Sequence, residues 1–405
     1  VSHGSKGILS TIQEYSLPLI AGVFVALGVA NAAPEAYHHL LEYQLLPWQL
    51  LGHDINLHFL VNDVFMVFFF GIAAKEITDA VLPGGSLNPP SKAVNPLLGT
   101  LGGVLGPVGV FFLLVHLFYD GADNYAAVAN GWGVPTATDI ALAWLAARLV
   151  FGARHPAVNF LLLLAVADDA IGLGIIAVAY PDPAHPVAPI WLLCTLAGML
   201  VSFGLRKAKL QSWPLYIVLG GGLAWLGLIQ AHLHPALALV FIVPFLPGER
   251  PQMGLIAEGE DVPGADPAHG DTPLERFEHR LKLPVDLGLF AFAFANAGVE
   301  FSNLGALTWV ILISLLVGKT VGIFLCSWVG CKLGFPLPTG MDMKTLGLAG
   351  LVAGLGLTVA LFVSAQAYTD PLLQGEAKMG ALFSGVVFGL ALLAGKLLRI
   401  KKIEH

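Results

Sequence analysis

Gly131-Trp-Gly-Val-Pro-Thr-Ala-Thr-Asp-Ile140 interrupts an apolar run of this 405-residue chain with two glycines, a proline and a Thr-Asp pair. A second apolar run, Gly350-Leu-Val-Ala-Gly-Leu-Gly-Leu-Thr-Val359, is interrupted by glycines. In lipid, each backbone group freed by such a break costs several kcal/mol unless protein, water or an ion satisfies it. A single break is equally well explained by a Gly/Pro kink relaxed by neighbouring helices. Two breaks at matching places of an inverted repeat point to discontinuous helices around a binding site at the bilayer midplane. Half-helices meeting there leave positive partial charge at their N-termini and negative at their C-termini. Asp139 would neutralise the positive ends. The second break carries no acid, and the negative ends need a cation from elsewhere.

The membrane setting comes from composition. Only 12% of residues are Asp, Glu, Lys or Arg, against about 25% in soluble proteins, and mean hydropathy is +0.78. Runs such as Leu101–Leu117, Trp191–Leu205 and Leu307–Trp328 exclude a soluble enzyme and a disordered chain. Twenty basic against twenty-seven acidic residues offer no basic patch, so no nucleic-acid partner is expected. Cys194, Cys326 and Cys331 have no ligand spacing, which argues against a disulfide framework or a zinc site. Val1–Glu14 lacks the pattern of a cleavable signal peptide.

A hydrocarbon core about 30 Å thick needs about 20 apolar residues per helix. Loops rich in Pro, Gly and charge divide the chain into twelve spans, near 15–33, 57–79, 95–118, 125–150, 157–180, 187–205, 213–231, 233–247, 283–299, 306–330, 345–367 and 378–398. Basic residues test the count. Lys6, the even loops and the C-terminal stretch together hold eighteen of the twenty, from Lys75 and Lys92 through Arg206, Lys207 and Lys209 to Lys401 and Lys402. Lys378 falls in an odd loop and Lys319 inside a span. The positive-inside rule then expects both termini in the cytoplasm. The fold expected is an all-α polytopic membrane protein, one domain over 1–405, with inverted-topology repeats and spans four and eleven crossing. Residues 248–282, acidic and rich in Pro and Gly, read as a cytoplasmic linker between two bundles.

Five ionisable residues lie deep in spans: Asp63, Asp139, Asp168, Asp169 and Lys319. Such residues cost at least about 2.5–3.5 kcal/mol each at the bilayer centre and are functional by default. Asp63 lies near the outer mouth of its span. In Leu161-Leu-Leu-Leu-Ala-Val-Ala-Asp-Asp-Ala-Ile-Gly-Leu-Gly-Ile175 the two acids point about 100° apart on a helix. One can pair with a cation while the other faces an aqueous funnel. Lys319, the one basic residue inside a span, is the natural partner. A hard cation such as Na+ takes oxygens: carboxylates, the Thr138 hydroxyl, freed carbonyls and water. Protonated carboxyls and a bound cation exclude one another, and that competition couples proton to cation movement.

These residues resemble the NhaA-type bacterial Na+/H+ antiporters. The similar segments are 131–141 (GWGVPTATDIA), 164–171 (LAVADDAI), 318–323 (GKTVGI), 289–299 (LFAFAFANAGV) and 276–279 (RFEH). The resemblance implies electrogenic exchange of Na+, and of Li+, for H+ across the bacterial inner membrane, without a cofactor. It implies a core bundle (95–231 and 306–398) rocking against an interface bundle (15–79 and 233–299), and a homodimer in the lipid bilayer. By that likeness Asp169 is the chief cation ligand, Asp168 pairs with Lys319 when no cation is bound, and Asp139 compensates half-helix dipoles. Asp63, Glu76, Glu278, His279 and His234 match accessory or pH-sensing positions. The basic pair expected after Glu76 is replaced by Ile77-Thr78-Asp79, a departure that bears on the pH response.

Two rival readings differ in what they need. A cation-coupled symporter of an organic solute on the same fold would need a larger polar cavity and would forgo Lys319. An intramembrane aspartyl protease needs two Asp meeting across a water, and adjacent acids on one helix diverge, so no enzyme is expected.

Overall fold

The computed structural model describes residues 16–82, 90–181, 186–248, 272–400 and 402–403, with backbone alone at 90–92. Lys6 and most of the expected acidic linker, 249–271, lie outside the described residues. What is described is helical apart from one antiparallel hairpin, Gln49–Leu50 (β1) with His53–Asp54 (β2).

The chain opens with Leu17–Ala32 (α1) and Pro34–Glu42 (α2), and after the hairpin runs through Leu57–Val81 (α3), which contains a π-turn at Leu60–Phe65. Pro90–Tyr119 (α4) precedes the pair Tyr125–Thr136 (α5) and Ile140–Phe151 (α6). Pro156–Ala179 (α7), Pro189–Lys207 (α8), Trp213–Gln230 (α9) and the short 3-10 segment Pro235–Phe245 (α10) follow. The last third holds Pro273–Asn296 (α11), Ala306–Lys332 (α12), the pair Met343–Ala353 (α13) and Leu357–Ala367 (α14), and Pro371–Leu397 (α15).

Seven of these helices are long and apolar enough to cross a membrane, or ten spans if each of three bent pairs counts as one. The outward face is apolar as lipid requires: Leu105 and Leu117 on α4 and Leu200 on α8 are each more than 60% exposed. The chain is a multi-pass membrane protein.

The bends sit where the sequence breaks. α5 and α6 meet at 50°, α13 and α14 at 48°. The first helix, Leu17–Ala32, falls within the expected span 15–33. After Ala32 the chain turns by 120° into α2, because Pro34 cannot continue the hydrogen-bond ladder. The linker is shorter than expected. α11 starts at Pro273, where Thr272 and Glu275 form a capping box, so charged residues 273–282 are the helix's first turns.

Lys378 is a further correction. It lies in the first part of α15 rather than in a loop, and is only 9% exposed. Lys319 is therefore not the only lysine buried within a span.

Lys319 itself is carried by a close helix contact. A Cβ on Gly102 or Gly106 of α4 would run into the Gly322 or Gly318 carbonyl oxygen of α12, and one on Gly318 into Pro107. Small residues four apart on both helices let the backbones touch. The glycines flanking Lys319 thus press α12 against α4 and fix the height of the lysine.

Candidate functional site

The two breaks touch. The Asp139 backbone N–H donates to the Leu355 carbonyl at 2.6 Å, and the Thr138 hydroxyl donates to the Ala353 carbonyl at 3.1 Å. Asp139 is the N-cap of α6, its Oδ1 accepting from Leu142 N–H at 3.0 Å. Its Oδ2 accepts from Thr358 N–H, in the first turn of α14, at 3.2 Å. One carboxylate therefore meets the positive ends of two half-helices. A side chain at Gly356 would meet the Ala137 carbonyl at 2.9 Å, so only glycine allows this approach.

The other freed backbone groups also find partners. The Tyr180 hydroxyl donates to the Asn130 carbonyl (2.9 Å) and accepts from Gly133 N–H (2.8 Å). Ser384 Oγ accepts from Gly356 N–H at 3.2 Å. At the negative end of α13 the cation arrives indirectly. Lys319 Nζ donates to Thr138 Oγ1, which itself bonds Ala353.

Lys319, fully buried, also pairs with Asp168 Oδ2 at 2.5 Å. Asp168 Oδ1 is buried with no hydrogen-bond partner. A buried carboxylate oxygen left bare is costly, and a proton or a cation would satisfy it. Asp169 turns the other way. It lines a cavity of about 1100 Å³, together with Thr138, Asp139 and Glu76. The cavity runs from these residues to Glu278, His279, Lys282 and Arg148 at one end of the bundle. The adjacent acids are thus divided between an internal ion pair and the cavity wall.

At that end, Lys75 of α3 forms ion pairs with Glu278 of α11 and with Asp79 at 2.7 Å, and Lys282 approaches Glu278 at 3.5 Å. The residue before Glu76, rather than those after it, thus supplies the basic group that ties α3 to α11 here. Partial burial pushes the Glu278 carboxyl up, but Lys75 and then Lys282 outweigh this and hold it below the usual glutamate range. A depressed carboxylate contributes stability above the ordinary value of about 4.3 and loses it as pH falls through the folded value. Lys75→Ala should cost about 1–3 kcal/mol at pH 7 and flatten the loss of melting temperature on acidification. Melting curves of both proteins in detergent, at pH 7 and pH 4, check this; parallel curves would refute it.

Two sequence candidates lie elsewhere. Asp63, in the π-turn of α3, has its backbone carbonyl bonded by the Trp225 indole N–H at 2.8 Å and does not line the cavity. Its neighbour Asn62 makes the contact with α11, accepting from Asn296 Nδ2 at 2.9 Å. His234 caps α10, its Nδ1 accepting from Ala236 N–H at 3.3 Å, with its ring 4.7 Å from that of Phe362.

The sequence reading passes over two acids of the cavity wall, Glu275 and Asp286, both on α11. Asp286 on α11 lines the same space as Asp169 and Glu76. Its signal was visible, an acid three residues past the expected start of an apolar span.

The description "Na+/H+ antiporter 1" belongs to a family model that matches residues 7–396. Relatives named Na(+)/H(+) antiporter NhaA occur in Desulfitobacterium hafniense and Geobacter sulfurreducens, each 57% identical. The alignments cover 98% of this chain and 98% and 99% of theirs. A relative of the same name from Jannaschia sp. is 42% identical, over 97% of this chain and 98% of its own. The solved structure of the sodium proton antiporter MjNhaP1 from Methanocaldococcus jannaschii aligns at 13% identity and a TM-score of 0.44, covering 96% of this chain and 99% of that one. With matches of this extent to transporters rather than enzymes, this chain belongs to the Na+/H+ antiporter 1 family.

Proposed function

We propose that this protein exchanges Na+ for H+ electrogenically across a bacterial inner membrane, with cation and protons competing for Asp168 and Asp169. The observation that carries the reading is the division of the two acids, Asp168 against Lys319 and Asp169 on the cavity wall. A cation entering the cavity meets Asp169 first and displaces its proton. It then draws Asp168 away from Lys319, whose ammonium is left without its counter-ion and releases a proton more readily. Exchange is electrogenic when the protons released outnumber the one cation bound. Thr138, Asp139 and the carbonyls at the breaks supply further oxygens or fixed charge.

In this reading there are twelve crossings, the ten counted above plus α10 and α11. The α5–α6 and α13–α14 pairs cross as the discontinuous helices of two inverted repeats. Both termini lie in the cytoplasm, so the cavity opens inward. The core bundle, 95–231 and 306–398, rocks against 15–79 and 233–299. Li+, close to Na+ in charge and ligand demand, is carried too, and the working unit is a homodimer. The relatives' names favour antiport over symport of an organic solute.

Proteoliposomes carrying a pH dye test the reading. A Na+ pulse should drive protons the opposite way, faster when valinomycin and K+ remove the membrane potential. Protons moving with Na+, or no Na+-dependent proton movement, would overturn it.

A further inference from the structure

We propose that Lys378, with the imidazoles of His58 and His234, forms a site for a small monovalent anion such as chloride, at the end of the bundle remote from the cavity mouth. A buried charge, the placement of two protons and the position of the group carry it.

The charge has no partner. Lys378, on α15, is 9% exposed. Among the described residues no carboxylate stands at ion-pair distance from its ammonium, and no group is hydrogen-bonded to it. Glu376, two residues before it, is taken by Leu307 N–H, and Asp54, ahead of α3, by Gln49 at 3.0 Å. An ammonium buried in this way must lose its proton or gain a counter-ion.

The groups around it decide which. His58, at the start of α3, lies within electrostatic range of Lys378 and of His234, the cap of α10. The proton on each imidazole follows from its bonds. Asn296 Nδ2 donates to the Phe292 carbonyl at 3.0 Å and to Asn62 Oδ1 at 2.9 Å. Asn62 therefore turns its own Nδ2 to His58, whose Nε2 accepts at 2.9 Å, and the His58 proton sits on Nδ1. His234 accepts from Ala236 N–H through Nδ1, so its proton sits on Nε2. Both rings are held as donors. A neutral amine would accept from one of them, and no such bond forms among the described residues. An anion takes donors from all three.

Position sets the kind of anion and its route. None of the three residues lines the cavity of Asp169, and His58 stands about 25 Å along α3 from Lys75 at the mouth of that cavity. His58 is exposed, whereas His234 and Lys378 are 8% and 9% exposed. An ion enters past His58 and is held at depth. One fixed cation balances one negative charge, which selects a monovalent ion over sulfate or a phosphate headgroup. Bound there, the ion ties α15 to α3 and α10.

Thermal melting of the purified protein tests the site, at constant pH, Na+ and ionic strength. Chloride and bromide should raise the melting temperature saturably, and gluconate and sulfate should not. Lys378→Met should melt at the same temperature in chloride as in gluconate. His58→Ala should raise the half-saturating chloride concentration about tenfold. A wild type indifferent to chloride, a chloride effect retained in Lys378→Met, an unchanged half-saturating concentration in His58→Ala, or stabilisation by sulfate alone overturns the proposal. If Lys378→Met does not fold, wild-type crystals grown in bromide decide. An anomalous peak beside Lys378 Nζ is expected, and its absence overturns the proposal. The readout is binding and stability, so it stands apart from the exchange reading.

Discussion

Asp169→Asn is expected to abolish Na+-driven proton movement in proteoliposomes, a loss of at least about a hundredfold, or about 3 kcal/mol. Of the paired acids, Asp169 is the one on the cavity wall, and no described residue donates a hydrogen bond to it. Asparagine keeps the shape and one oxygen but neither binds the exchanged proton nor opposes the cation's charge. Because nothing else leans on the carboxylate, the variant should fold and melt within a few degrees of wild type. That combination, lost exchange with retained stability, is the informative one. Retained exchange would remove Asp169 from the cycle and with it the competition that couples the two ions.

Lys319→Ala should behave in the opposite manner, losing stability before chemistry. The lysine is fully buried and contacts both Asp168 and Thr138. Its removal strands a carboxylate whose second oxygen already lacks a partner. Breaking a buried pair from one side costs about 3–5 kcal/mol. Adding Asp168→Asn to the same protein should recover most of that loss, since a neutral amide in place of a lone charge is cheaper to bury. Thermal melting of the two single variants and the double variant measures the coupling. Additive losses would mean that the pair does not stabilise the fold. In the same reconstituted vesicles, the charge moved per cation should fall more than cation affinity does.

How far all this could be read in the sequence depends on range. The breaks at Pro135 and at Gly354–Gly356 were legible because proline and glycine act on their own backbone. The parting of Asp168 from Asp169 was legible because helical geometry alone turns neighbours about 100° apart. The start of α11 was equally local: Thr272-Pro-Leu-Glu275 is a capping-box pattern. It was hidden by the acidic stretch before it. Lys378 was different. Its segment, PLLQGEAKMG, has the polarity of a loop, but α15 packs there against α12 and α14, and Glu376 accepts from Leu307 N–H at 2.9 Å. The ion pair of Lys75 with Glu278 is of the same kind. It joins residues 203 positions apart and needs the fold to be seen.

Asp139 caps two helices from opposite halves of the chain with a single carboxylate. Such a shared cap behaves as a rivet. Pulling either half-helix away would leave a backbone N–H of the other without its acceptor, so the low-energy displacement takes both together. The parts fastened to them travel along: Thr138 through Ala353, and Lys319 through Thr138. In the proposed exchange the cargo site is then a passenger that keeps its shape while the surrounding wall changes. How fast ions cross and which ions are chosen become separable properties, written into different residues of one molecule.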